Sequence, residues 1–292
     1  MPVMMWWAVQ LLMALVGGAA PTAITGETDQ QGDGITIPLA APSNGDEGPL
    51  PPVTRARTPD APLVVIDPGH GGRDPGAASP FVEAPEKDLT LALSIAIRNQ
   101  LATTGRVRVA LTRESDDYLF LEDRYAIARR LGADLFISIH ADAAPNDGAR
   151  GATIYTLSEV ASDQQAARLA SQQNEADQIA GARLSRDPNV NMILIDLAQR
   201  ESMDVSAEFA RILHREAEPI FPFRPNWHRF AAFIVLKAPD IPSVLFESGY
   251  LTNEADSRYI GSPEGRQLIA TGLQRAIEAH FVRQRLEVRQ GG

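Results

Sequence analysis

From residue 62 onward the apolar positions change period several times, and each change marks an element. LVVID (63–67) is an unbroken apolar run, the pattern of a strand covered on both faces. In EKDLTLALSIAIRNQLATTG (86–105) the apolar residues fall at Leu89, Ala92, Leu93, Ala96, Ile97 and Leu101. That spacing is helical, and Gly105 supplies a C-terminal stop. VRVALTR (107–113) predicts a second strand, LEDRYAIARRLGA (121–133) a second helix, DLFISIHADA (134–143) a third strand and GATIYTL (151–157) a fourth. Alternation of this kind predicts an α/β fold, a mostly parallel central sheet flanked by helices. Over 158–230 the signal turns helical with no strand between. SEVASDQQAARLASQQNEADQIAG forms one helix, opened by Ser162 and Gln165 as a capping box, and NVNMILIDLAQRESMDVSAEFARILHREAE forms one or two more. Strands return at AAFIVLK (231–237) and PSVLFES (242–248), and a closing helix covers about Glu264–Arg285. The expected architecture is a sheet interrupted by a helical insertion.

Before residue 62 no such period survives. The apolar run Val3–Val16 is shorter than the roughly 20 residues a bilayer span needs, and the small residues Gly17–Ala20 follow it. Residues 1–23 are therefore expected to be a secretory signal peptide, with an uncleaved anchor as the rival. Residues 24–61, rich in Gly, Pro, Asp and Ser, are expected to be a flexible linker, residues 62–285 the folded domain and 286–292 a tail. The formal net charge of −10 and the lack of any Lys/Arg run exclude nucleic acid as an expected partner. The chain has no cysteine, which removes disulfides, thiolate nucleophiles and Cys-based zinc sites. A metal would have to be held by His, Asp or Glu.

The first strand runs into DPGHGGRDPGA, a glycine-rich loop with His70 at its centre. The next helix begins with Glu86, the third strand ends at His140 and a late strand ends at Glu247. Functional groups of open α/β sheets gather at the carboxyl ends of strands. Two His and one Glu suit a catalytic zinc ion and leave one coordination place open. A further carboxylate is then needed to move protons, and Glu247 is the candidate. The reaction class would be metal-assisted hydrolysis of an amide or ester. His214 and His280 lie in helical stretches and read as structural or solvated. His228 stands beside Trp227, where a substrate groove is the less favoured alternative to an ordinary surface pair. Arg113 and Arg124 are expected to pair with acidic neighbours such as Asp116 or Glu122.

Taken together, DPGHGGRDPGA, EKDLTLALS, LTRESDDYLFLEDRYAIA, FISIHADA, GATIYTL and VLKAPDIPSVLFESGYLTN resemble the zinc-dependent N-acetylmuramoyl-L-alanine amidases of the cell-separation type. The likeness covers about residues 62–284. It implies that His70, Glu86 and His140 bind Zn2+, that Glu247 is the catalytic carboxylate, and that the substrate is peptidoglycan. The bond cleaved would join N-acetylmuramic acid to L-alanine, in the periplasm, for wall remodelling and daughter-cell separation. It further implies that the insertion at 158–230 is regulatory. A carboxylate from QQNEADQIAG, Glu175 or Asp177, would fill the open metal position until an activator with a degenerate metallopeptidase-like domain displaces the helix. The bland alternative for that stretch is a solvated acidic helix face. A monomer is expected. Two other readings stay open: a zinc peptidase acting within the stem peptide, and a non-catalytic wall-binding homologue.

Overall fold

A computed structural model describes residues 48–144, 148–179 and 192–291. The expected signal peptide at 1–23, and residues 24–47 of the expected linker, lie outside the described residues. Among the described residues six strands form one sheet: β1 (Leu63–Pro68), β2 (Arg108–Leu111), β3 (Leu135–His140), β4 (Ala152–Leu157), β5 (Phe223–Ala231) and β6 (Ser243–Glu247). Their order across the sheet is β2-β1-β3-β6-β4-β5. The first four in that order are mutually parallel, β4 runs antiparallel to β6, and β5 runs parallel to β4. Six helices among the described residues accompany them: α1 (Glu86–Thr104), α2 (Leu121–Leu131), α3 (Gln164–Ile179), α4 (Met192–Ala217), α5 (Glu254–Gly261) and α6 (Pro263–Gly291). Among the described residues no helix is long and apolar enough to cross a membrane.

Successive strand residues point to opposite faces, and the core divides accordingly. Val64, Ile66, Ile137, Ile139, Ile154 and Phe246 pack against one layer made of α1, α4 and α6. Leu63, Val65, Phe136, Tyr155 and Leu245 pack on the other face against α2, α3 and the 3₁₀ turn Ile234–Leu236. This double coverage is why the strands read as continuous apolar runs.

Several expectations are corrected. β5 lies inside the stretch expected to be helical. FRPNWHRFA carries Pro225 and three cationic or imidazole side chains, a composition tolerated because β5 is a sheet edge. The apolar run expected as a strand at 231–237 is the last residue of β5 followed by the 3₁₀ turn. Short apolar runs do not reveal their own conformation, and only burial is implied by them. The part of the expected 158–230 insertion that forms α4 is built into the fold: Phe209, Ala210, Leu213 and Ala217 share a core with Ile269, Leu273 and Ile277 of α6. The cap of α3 is Asp163, whose Oδ1 accepts from the Ala166 amide at 2.9 Å, not Ser162. The linker is not free to its end, since the Thr54 amide donates to Val109 O at 2.8 Å and Thr54 Oγ1 accepts from the Val109 amide at 2.9 Å. β2 is an edge strand whose outward backbone groups need partners. The expected tail is the end of α6, which runs to Gly291.

Candidate metal centre

The parallel arrangement brings the ends of β1, β3 and β6 to one edge, with His140 and Glu247 as cross-strand partners. His70 sits just beyond β1 with a positive φ of 60°. That region is sparsely used by side-chain-bearing residues and concentrates at functional sites. Two glycines make room for the cluster. A Cβ on Gly69 would collide with the His140 imidazole, and one on Gly76 would come within 2.7 Å of both Glu86 and the His70 ring.

One ligand atom from each of His70, Glu86 and His140 lies within 4.8 Å of the others, and all three residues are buried. Glu86 Oε2 is 3.1 Å from His70 Nε2 and accepts from the Ala77 amide at 2.8 Å. Its Oε1 is 3.2 Å from His140 Nδ1 and accepts from the Ala141 amide at 2.9 Å. His70 Nδ1 meets Asp74 Oδ2 at 2.8 Å, which fixes the ring and leaves Nε2 facing the cluster with no hydrogen-bond partner. A buried, unpartnered imidazole nitrogen aimed at two other donors fits a divalent ion, and the carboxylate behind it is the usual support of such a ligand.

The charges follow from this crowding. Burial alone would raise the Glu86 carboxyl, but the two imidazoles outweigh it and hold it well below the usual carboxylate range. Burial disfavours a proton on His70, yet Glu86 and Asp74 overcome that and push it up to about 10. His140 is lowered, chiefly by burial. Glu247 behaves oppositely to Glu86. Burial, then the Asp142 and Glu86 charges, hold it well above the ordinary range. One of its oxygens accepts from the Asp142 amide at 3.0 Å and the other has no partner. Asp142, likewise buried, is pushed up to about 7. A carboxyl whose proton affinity is raised toward neutrality can both take and return a proton.

Two arginines hold the His70 loop. Arg124 pairs with buried Asp67 at 3.0 Å and donates to His70 O at 2.8 Å. Arg113 donates to Pro68 O, Gly69 O and Lys87 O. The expected partner Asp116 binds Lys87 instead. Asp67, Asp74 and Asp142 were not legible as site residues. A second carboxylate within four residues of a candidate His ligand is the signal that points to Asp74.

α3 lies over this edge. A cavity of about 10 Å³ beside His70 and His140 is roofed by Gln173 and Ala176, room for about one water. Neither candidate carboxylate lines it. Glu175 is exposed and accepts from Ser171 at 3.2 Å. Asp177 accepts from Tyr118 Oη at 3.0 Å and from the Leu121 amide at 3.1 Å, at the start of α2. His228 contacts Thr156 Oγ1 at 3.0 Å, and Trp227 stacks on His214.

The family model described as N-acetylmuramoyl-L-alanine amidase matches residues 64–279. The chain is 37% identical over 241 residues to N-acetylmuramoyl-L-alanine amidase AmiA of Salmonella typhimurium, covering 82% of this chain and 81% of that protein. It is 37% identical over 221 residues to AmiA of Escherichia coli, covering 75% and 76%. Among solved structures, the amidase AmiC2 of Nostoc punctiforme superposes with a TM-score of 0.54 at 26% identity, over 76% of this chain and 97% of that one.

Proposed function

From the premise that the chain belongs to the N-acetylmuramoyl-L-alanine amidase family and is a peptidoglycan amidase, we propose that it works as a zinc-dependent hydrolase held closed by α3. The bond cleaved joins the lactyl group of N-acetylmuramic acid to L-alanine. The observation that carries the zinc reading is the convergence of His70, Glu86 and His140 within 4.8 Å, beside a carboxyl with an unpartnered oxygen. The donor set is the nitrogen and oxygen set zinc prefers, with three protein ligands. A zinc ion there would polarise the scissile carbonyl and lower the pKa of water to about 7.

The protein's own groups do the rest. Asp74 keeps the His70 ring in one tautomer, with Nε2 directed at the cluster. Glu247 takes a proton from the attacking water at its free oxygen and returns it to the departing amine nitrogen. The Asp142 amide holds the other oxygen still during both transfers. Regulation is supported by Gln173 and Ala176 of α3, which line the small cavity beside His70 and His140. Asp177 serves that state as a fastener to α2 rather than as a ligand. An activator protein that draws α3 away would open the site. Export to the periplasm by residues 1–23 and a role in daughter-cell separation complete the proposal.

Digestion of sacculi by the mature, zinc-loaded protein tests it. Mass analysis is expected to find intact stem peptides and peptide-free glycan strands. Fragments cut between peptide residues would overturn the amidase assignment in favour of a stem-peptide peptidase.

A further inference from the structure

Strands β4 and β5 run opposite to β3 and β6, so their first residues lie at the catalytic edge. There His140, Glu247 and Thr153 are successive cross-strand partners. Phe223 pairs with Ala152 and the register then shifts, so that residues 224–227 of β5 lie opposite Thr153. Ala152, Ile154 and Phe246 belong to the core under α1, α4 and α6. Glu247 and Thr153 therefore face the other way, toward the side that α3 covers. Tyr250, three residues beyond Glu247, ties the row together. Its hydroxyl lies 3.4 Å from Thr153 Oγ1 and accepts from Arg224 Nη1 at 2.8 Å. The guanidinium carbon sits 5.2 Å from the centre of the Tyr250 ring.

Arg224 is half-buried, and among the described residues it makes no ion pair. Nη1 also reaches Gln165 of α3 at 3.4 Å, while Nε and Nη2 have no hydrogen-bond partner among the described residues. Arg229, on the same strand, is by contrast tied to Asp163 and to Tyr155 Oη. A guanidinium placed by a phenol and an amide, with its remaining donors open, is prepared for a carboxylate, which it binds through two parallel hydrogen bonds. Arg224 thus stands as a cation without an ion pair two strands away from the candidate catalytic carboxyl, in a chain of net charge −10.

The geometry points to Arg224 as the anchor for a carboxylate on the peptide whose amine departs at Glu247. This rests on the amidase reading above. Neighbouring strands are about 4.8 Å apart, so β5 lies two spacings, roughly 10 Å, from the strand that carries Glu247. An extended peptide advances about 3.3–3.6 Å per residue. The carboxylate is therefore borne within the first three residues of the stem. The contact to Gln165 gives α3 a share of the same guanidinium, so an open α3 presents it fully.

Two muropeptides test this, identical except that the stem carboxylates are free in one and amidated in the other. With the full mature, zinc-loaded chain, Arg224→Gln is expected to lower kcat/KM for the free acid about tenfold, through KM. The amidated substrate should change less than twofold, and Arg224→Lys should fall between. Singly amidated stems then locate which carboxylate is read. Equal losses on both substrates would make Arg224 merely structural, and no loss on either would remove it from binding; both overturn the proposal. Calorimetric binding of the free and amidated stem peptides reads the anchor without cleavage. If neither muropeptide is cut yet wild-type protein binds the free acid more tightly and Arg224→Gln abolishes that preference, the amidase reading has failed and the anchor stands. Equal binding of both peptides by the wild type overturns the anchor.

Discussion

Glu86 joins the two imidazoles through separate oxygens while two backbone amides fix its orientation. Glu247, the cross-strand partner of His140, keeps one oxygen unengaged. The division of labour between two buried glutamates follows from their neighbours, since one is surrounded by imidazoles and the other by acids. Replacing the second isolates its role. Glu247→Gln is expected to lose hydrolysis by about 10²–10⁴-fold while zinc stoichiometry and thermal stability hold, as metal analysis beside an activity assay would show. Asp74 acts one step further out. Asp74→Asn is expected to weaken zinc binding about 10–100-fold, measured by competition with a chromogenic chelator. At this scale the sequence is informative about residue type and silent about contact. Glu86 and His140 stand out because one begins and the other ends an element, and His70 because it centres the glycine-rich loop that follows β1. Arg113 and Arg124 show the limit: local spacing suggests Asp116 and Glu122, whereas the fold gives them loop carbonyls and Asp67.

Helix α3 has a short apolar stripe, Ala166, Leu169 and Ala170, on the sheet. Its far end is held by Asp177, which satisfies the first amide of α2 and the Tyr118 hydroxyl. A side chain in such a capping position contributes about 1 kcal/mol, enough to bias a helix that must also open. Under the proposed closed state, Asp177→Ala is expected to reduce hydrogen-exchange protection across 164–177 and to raise basal hydrolysis several-fold without an activator. Unchanged exchange and activity would show that this contact does not hold α3 shut. At the same scale, α4 reads in the sequence as part of a helical insertion, and only its packing on α6 reveals it as core. β5 is masked by Pro225 and its charges, which an edge position permits.

The molecule as a whole buries several ionisable groups outside the site, and these set its response to acid. His280 on α6 is buried against Phe209 and Phe281, its Nε2 without a partner, and burial lowers its pKa from 6.5 to about 4. Above pH 6.5 the ring is neutral whether the chain is folded or not, and it costs nothing. Between pH 6.5 and 4 the unfolded chain takes up a proton that the native state refuses, so stability falls as pH falls. At about 1.4 kcal/mol per pKa unit the loss approaches 3 kcal/mol at the acid end. His280→Phe is expected to remove this part of the acid slope. Melting temperatures of the two proteins should converge near pH 7 and diverge in favour of the variant near pH 4.5.

The sequence by itself determined the alternation of strands and helices, the double coverage of the sheet and the residue types collected at its edge. Those are periodic or positional features, written in neighbouring residues. Tertiary structure alone decided that three segments distant in the chain place three donors within 4.8 Å, that Asp163 rather than Ser162 caps α3, and that Asp177 fastens α3 to α2. Strand order and register set these distances, and the free energy of long-range burial that selects them depends on all the packed surfaces at once.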